Sequence, residues 1–113
     1  MGESVAATYL EAHGFAIVAR NWRCPYGEVD LVVQQGGRVH FVEVKTRRGR
    51  GHGLPEEALN PRKAAHLTAV AQTYLAEQGL DEVDWQIDLI AVELDPHGKL
   101  LRCEHIPNVV QSS

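Results

Sequence analysis

The stretch GEVDLVVQQGGRVHFVEVKTR, Gly27–Arg47, decides how this chain is read. Two apolar, β-branched runs flank Gly36-Gly37, a pair suited to the positive φ angles of a two-residue hairpin turn. With that turn, Asp30 falls directly opposite Glu43, and Glu28 opposite Lys45. Strand alternation then puts Glu28, Asp30, Glu43 and Lys45 on one face. A bulge or a slipped turn would change the register. Opposed carboxylates repel, at a cost on the order of some tenths of a kcal/mol, and half-buried ones also lose hydration. Three arrangements relieve this: one carboxyl keeps a proton, Lys45 bridges both acids, or a divalent cation sits between them.

Outward from the hairpin, Ser4–His13 carries Val5, Ala6, Tyr9 and Leu10 at helical spacing, with Gly14 as a C-terminal cap. Phe15–Cys24 is rich in β-formers and ends at Pro25. RRGRGHGL, Arg47–Leu54, reads as a basic, mobile loop. Asn60, Pro61 and Gly79 mark the start and end of a second helix whose apolar stripe is Leu67, Val70, Ala71, Tyr74 and Leu75. Val83–Leu94 and Leu100–Ile106 read as two further strands, and the tail past Pro107 as frayed. The order is α-β-β-β-α-β-β with no repeat or linker, which predicts one domain over residues 1–113. The helical crossover places the fourth strand parallel to a neighbour in a mixed sheet of about five strands flanked by helices, an α/β fold.

The chain has 113 residues, 44% hydrophobic and 23% charged, which fits one soluble domain with a modest core. No apolar run approaches the roughly 20 residues that span a bilayer. The opening lacks the basic and apolar blocks of a signal peptide, and Ala6 stands where N-myristoylation wants Ser or Thr. A cytoplasmic protein without a membrane partner is expected. Cys24 and Cys103 read as free thiols, and six scattered histidines offer no zinc spacing. Net charge is −4, yet Arg38–Lys63 holds seven Lys/Arg against three Asp/Glu, while the remainder holds four against twelve. That is one basic surface on an acidic body, compatible with either a nucleic-acid contact or a solvated loop.

A cation explains most about the hairpin. Hard oxygen ligands suit Mg2+ or Mn2+, and Mg2+ usually takes one or two carboxylates with water and substrate phosphate. Asp30 and Glu43 would be the side-chain ligands, and the carbonyl of Val44 a third. Lys45, two residues from Glu43 on the same face, would orient an attacking water.

Asp30 followed by Glu43-Val44-Lys45 after an apolar strand resembles the PD-(D/E)xK motif of restriction-endonuclease-like nucleases. The chain further resembles the small bacterial YraN-like family, assigned as endonucleases by similarity, which is similar in turn to Holliday-junction resolvases. The resemblance rests on the early Gly-Glu with AxxYL, on RNWRCPYGEVDLV, FVEVKTR, the AxxYL of the second helix and the closing HIPN. It implies a restriction-endonuclease-like fold, metal ligation by Asp30 and Glu43, and water orientation by Lys45. Glu3 would match an acid on the first helix of resolvase-like members, although an acid there also stabilises the helix dipole. Val29 stands where the motif's name has Pro, a common variation.

Thr46, Arg47, Arg48 and Arg50 follow Lys45 and would track a phosphate backbone, with Lys63 adding a contact at the second helix. Asp88 reads as a hydrogen-bonded structural acid, and Trp22 and Trp85 as core or interface residues rather than base-stacking platforms. These readings predict a Mg2+-dependent endonuclease acting on DNA, branched or junction DNA included, with a homodimer suggested by the resolvase resemblance. The alternative is a nucleic-acid-binding or partner-binding module that keeps the fold without turnover.

Overall fold

The computed structural model describes residues 2–49 and 59–110. Arg50 and the rest of the predicted basic loop beyond Gly49 lie outside the described residues. Helix α1 spans Gly2–Ala12, strands β1, β2 and β3 span Ala16–Cys24, Gly27–Gln35 and Arg38–Arg48, helix α2 spans Pro61–Glu77, and strands β4 and β5 span Trp85–Leu94 and Leu100–Ile106. The predicted order of elements holds.

Strand order in the sheet follows the chain, β1-β2-β3-β4-β5. Only the β3–β4 pair is parallel, because α2 returns the chain to the end at which β3 began. The α2 boundaries come from local chemistry. The Asn60 side chain accepts the Lys63 N–H at 2.9 Å, Pro61 opens the first turn, and Gly79 at φ 68° carries the chain out of the helix.

Two apolar layers form, one on each face of the sheet. On one face, Ala6, Ala7 and Leu10 of α1 cover Leu31, Val33, Val42, Ile90 and Val92. On the other, Leu67, Val70 and Tyr74 of α2 cover Val32, Phe41 and Ile87. Central strands β3 and β4 are buried from both sides, which is why they read as nearly unbroken apolar runs. Trp22 and Trp85 pack edge-on against Tyr74 and Phe41 at 5.2 and 5.9 Å, within the α2 layer as predicted.

Three features differ from expectation. β3 continues through Arg47 and Arg48, where the sequence suggests a loop, because parallel β4 supplies partners as far as Leu94. The stretch past Pro107, predicted to fray, is tied to β4: Asn108 N–H donates to Asp88 and Val109 N–H to the Ile87 carbonyl, each at 2.9 Å. Helix α1 begins at Gly2 and packs there so closely on β3 that a Cβ would collide with the Thr46 hydroxyl.

Candidate functional site

The Gly36-Gly37 turn sets the predicted register, with pairs running from Gln35–Arg38 to Leu31–Val42. At the next step, Asp30 and Glu43, the backbone ladder stops. Val44 N–H instead donates to Asp30 Oδ2 at 2.7 Å, so a carboxylate stands where a neighbouring strand would offer a carbonyl. Strand β2 also changes face here. Val29 packs in the α2 layer and Leu31 in the α1 layer, although residues two apart on a regular strand share a face. Across from Asp30, between the Arg20–Leu31 and Trp22–Val29 pairs, Asn21 adopts φ 50°, a conformation Asn tolerates better than most residues.

Asp30 and Glu43 come within hydrogen-bonding reach of each other. Burial, together with the hydrogen bond and charge of Glu43, pushes the Asp30 carboxyl from its usual 3.8 up to about 7, against the opposing pull of Val44 N–H. Glu3, in the first turn of α1, also reaches Asp30. The lysine that meets this pair is Lys63 of α2, whose Nζ lies 3.2 Å from Glu43 Oε2. Among the described residues, no hydrogen bond or ion pair engages the Lys45 ammonium, so of the three arrangements that would relieve the opposed acids, the Lys45 bridge is not the one formed. Tyr26, Asp30, Glu43, Lys63, His66 and Leu67 line a cleft of about 230 Å³.

The remaining predicted residues divide. Glu28 does not pair with Lys45: it meets Arg23 on β1 at 2.9 Å, because β2 and β3 have parted by that point. Strand alternation keeps Lys45 and Arg47 on the face of Glu43 and turns Thr46 and Arg48 to the other. Accordingly, Thr46 lies against Gly2 and Arg48 near Gly98. Arg47 Nε is buried with no hydrogen-bond partner among the described residues. Arg50 lies outside them.

The donor set fits a hard cation. Among the described residues, no three His, Cys, Asp or Glu side chains are grouped as a metal cage, so the candidate ligands are two carboxylates and one carbonyl. Val44 N–H points at Asp30, and the C=O of a strand residue faces the same edge as its N–H, which turns the Val44 carbonyl toward the acids. An incomplete oxygen set of this kind suits Mg2+, which keeps several waters. A half-buried carboxyl such as Asp30, held protonated up to about 7 by burial and by Glu43, is a place where a cation can take the proton's position.

A second buried constellation has no counterpart in the sequence reading beyond a structural role for Asp88. His40 Nδ1 and His105 Nε2 each lie 2.7 Å from Asp88 Oδ2, and Gln86 and Asn108 N–H donate to Oδ1 at 2.8 and 2.9 Å. Asp88 has 0% exposure. Burial alone would push its carboxyl up, but the bonds from His105, His40, Asn108 and Gln86 outweigh that and hold it well below the usual range. The one signal in the sequence is an acid set into an apolar strand. The two histidines come from distant positions and could not have been matched to it.

Residues 2–92 match the family model described as uncharacterised protein family UPF0102. A UPF0102 protein of Symbiobacterium thermophilum is 47% identical over 95% of this chain and 90% of its own length. One from Roseiflexus castenholzii is 39% identical over 99% of this chain and 91% of its own, and one from Geobacter sulfurreducens is 41% identical over 97% and 85%. With its model matched across both helices and the first three strands, and with relatives this similar over nearly their whole length, the chain belongs to the UPF0102 family.

Proposed function

We propose that this protein is a metal-dependent endonuclease of the restriction-endonuclease-like kind, hydrolysing phosphodiester bonds in DNA. The observation that carries the reading is the Asp30–Glu43 pair at the point where β2 and β3 part, with Lys45 on the face of Glu43 and unpaired among the described residues. Asp30 and Glu43, with the Val44 carbonyl, would hold Mg2+ or Mn2+. The bound ion supplies Lewis-acid stabilisation of charge developing on the phosphoryl oxygens. Lys45 orients the attacking water, a role for which an ammonium without an ion pair is available. Glu3 stands within reach of Asp30 to bind a water or a second ion. The buried, unpartnered Nε of Arg47 offers a donor to a phosphate on the same face, and Lys63 borders the cleft. Thr46, Arg48 and Arg50 are the further proposed contacts to the phosphate backbone. The superfamily resemblance points to 5′-phosphate and 3′-hydroxyl products, to junction or branched DNA as substrate, and to a homodimer.

One observation favours the second reading, a nucleic-acid-binding module without turnover. The Lys63 ammonium already neutralises Glu43 without a metal. The two readings separate when linear, single-stranded and four-way-junction DNA are incubated with the protein, with and without Mg2+ or Mn2+, beside Lys45→Ala and Asp30→Asn variants. The nuclease cuts only with metal, and both variants lose at least ~100-fold in rate, the scale of a lost general acid–base or electrostatic group. Salt-sensitive binding that never yields a cut overturns the hydrolase in favour of the module.

A further inference from the structure

Packing accounts for six of the seven Phe, Trp and Tyr side chains. Phe15 is in the core and Tyr9 packs against it on the α1 side, while Phe41, Tyr74, Trp22 and Trp85 form edge-on pairs on the α2 side. The seventh, Tyr26, is 60% exposed and belongs to neither layer. A singly exposed apolar side chain carries no weight by itself; the place of this ring does. It lines the same cleft as Asp30 and Glu43.

The backbone presents this ring firmly. Cys24 pairs with Gly27, closing a two-residue turn over Pro25-Tyr26, and Pro25 fixes one of its φ angles. Gly27, at φ 140°, packs against α2: a Cβ there would meet Val70 at 3.6 Å. A ring on a short, supported turn loses little entropy when it takes up a ligand. The cleft, about 230 Å³, is smaller than the roughly 300–1,000 Å³ of sites that enclose drug-sized molecules, which limits it to about one ring system. Its floor includes apolar Leu67 and Val70, and Lys63 and His66 of α2 stand with them. Past Gly27 the surface continues into an open depression lined by Arg23, Cys24, Gly27 and Glu28. The Arg23–Glu28 pair there is exposed, at 78% and 54% of the side chains, so it holds Arg23 weakly and leaves it free to trade partners with a phosphate.

An aromatic platform beside cations along a groove is the arrangement that binds single strands, base on ring and phosphate on cation. A base inside a duplex has both faces covered by its neighbours, so a one-ring cleft can take only a base that has left the stack. We infer that Tyr26 stacks on one unpaired nucleobase beside the Asp30–Glu43 pair, so that the polymer bound there carries a single-stranded stretch at the cleft. The inference rests on the nuclease reading for the nature of the polymer but not for turnover.

The test uses the full chain in metal-free, EDTA-containing buffer, with oligonucleotides carrying 2-aminopurine in a single strand, in a gapped duplex and in a blunt duplex. Wild type is expected to bind the first two more tightly than the third and to change their emission. Tyr26→Ala, with far-UV circular dichroism unchanged, is expected to bind the unpaired substrates roughly 5- to 150-fold more weakly, with Tyr26→Trp restoring both affinity and emission change. Equal binding of all three substrates by wild type, or Tyr26→Ala matching wild type throughout, overturns the inference. So does a Tyr26→Ala effect confined to the sedimentation coefficient of the free protein, which would make Tyr26 a protein contact. Because binding is read without metal, a Tyr26-dependent preference with no cleavage in Mg2+ defeats only the nuclease reading. Cleavage without that preference defeats only this one.

Discussion

A half-buried and a fully buried aspartate on one sheet are treated in opposite ways. Asp88 on β4 is surrounded by donors, two imidazoles, an amide and a backbone N–H, and its carboxyl is held far below its usual value. Asp30 on β2 has one backbone donor, and burial, with the hydrogen bond and charge of Glu43, raises its carboxyl to about 7. Burial is the largest influence at both positions, and the supply of hydrogen-bond donors decides the sign. A satisfied acid holds structure together. An acid with few donors costs stability and stays poised for something from solution to complete it.

The most forceful way to break this comparison is to remove the satisfied acid. Asp88→Ala leaves two histidines and two further donors without an acceptor, and the loss of stability should reach ~3–5 kcal/mol by urea denaturation. The share owed to the carboxylate is present above the usual Asp value of 3.8 and is lost as pH falls through the lower folded value. The wild-type advantage should therefore survive at pH 5 and erode only in strong acid. A loss under 1 kcal/mol would reduce Asp88 to an ordinary surface-like acid.

The next effect is on ion binding. If Mn2+ takes the place of the proton at Asp30, its affinity should fall about tenfold per pH unit below about 7 and level off above. Calorimetry in buffers of different ionisation enthalpy should show close to one proton released per ion at pH 6, and fewer at pH 8. A pH-independent affinity would separate Asp30 from the ion.

The smallest effect is the most discriminating. Native Asp30 keeps its proton up to about pH 7, whereas the unfolded chain releases it near 3.8. Between those values the native state binds more protons, so this group favours folding in acid and disfavours it increasingly as pH rises through 7. Asp30→Asn keeps an acceptor for Val44 N–H and removes the charge. It should raise the melting temperature at pH 8 by roughly 4 °C, the equivalent of about 1 kcal/mol, with the gain shrinking at pH 5. A destabilised Asp30→Asn at pH 8 would make Asp30 a second structural acid and remove the contrast with Asp88.

Most of the fold was legible because its punctuation is local. Gly36-Gly37 alone specified the hairpin register, and Asn60, Pro61 and Gly79 bounded α2. Asp30 and Glu43 could be brought together because strand alternation and a two-residue turn leave little freedom between them. What escaped depends on contacts made across the fold. The switch of β2 at Asp30 is shared with an Asn21 whose left-handed backbone no residue pattern announces. Lys63 reaches Glu43 only because of how α2 docks on the sheet. His40 and His105 lie 48 and 17 positions from Asp88 and meet it through strand pairing. Arg47 and Arg48 look like loop in a basic, glycine-rich run, and they are strand because β4 runs alongside.

On the nuclease reading, the hydrogen bond from Val44 N–H to Asp30 gives one carboxylate two employments, as a rung of the scaffold and as a ligand. Selection at position 30 therefore has two separable components. A lineage that abandoned turnover would still need a short acceptor there, and Asn meets that need while Ala, Val and Leu do not. Asn at position 30 in a relative would thus mark retired chemistry on a maintained framework, and a hydrophobic residue would mark a framework that had found another way to hold its third strand.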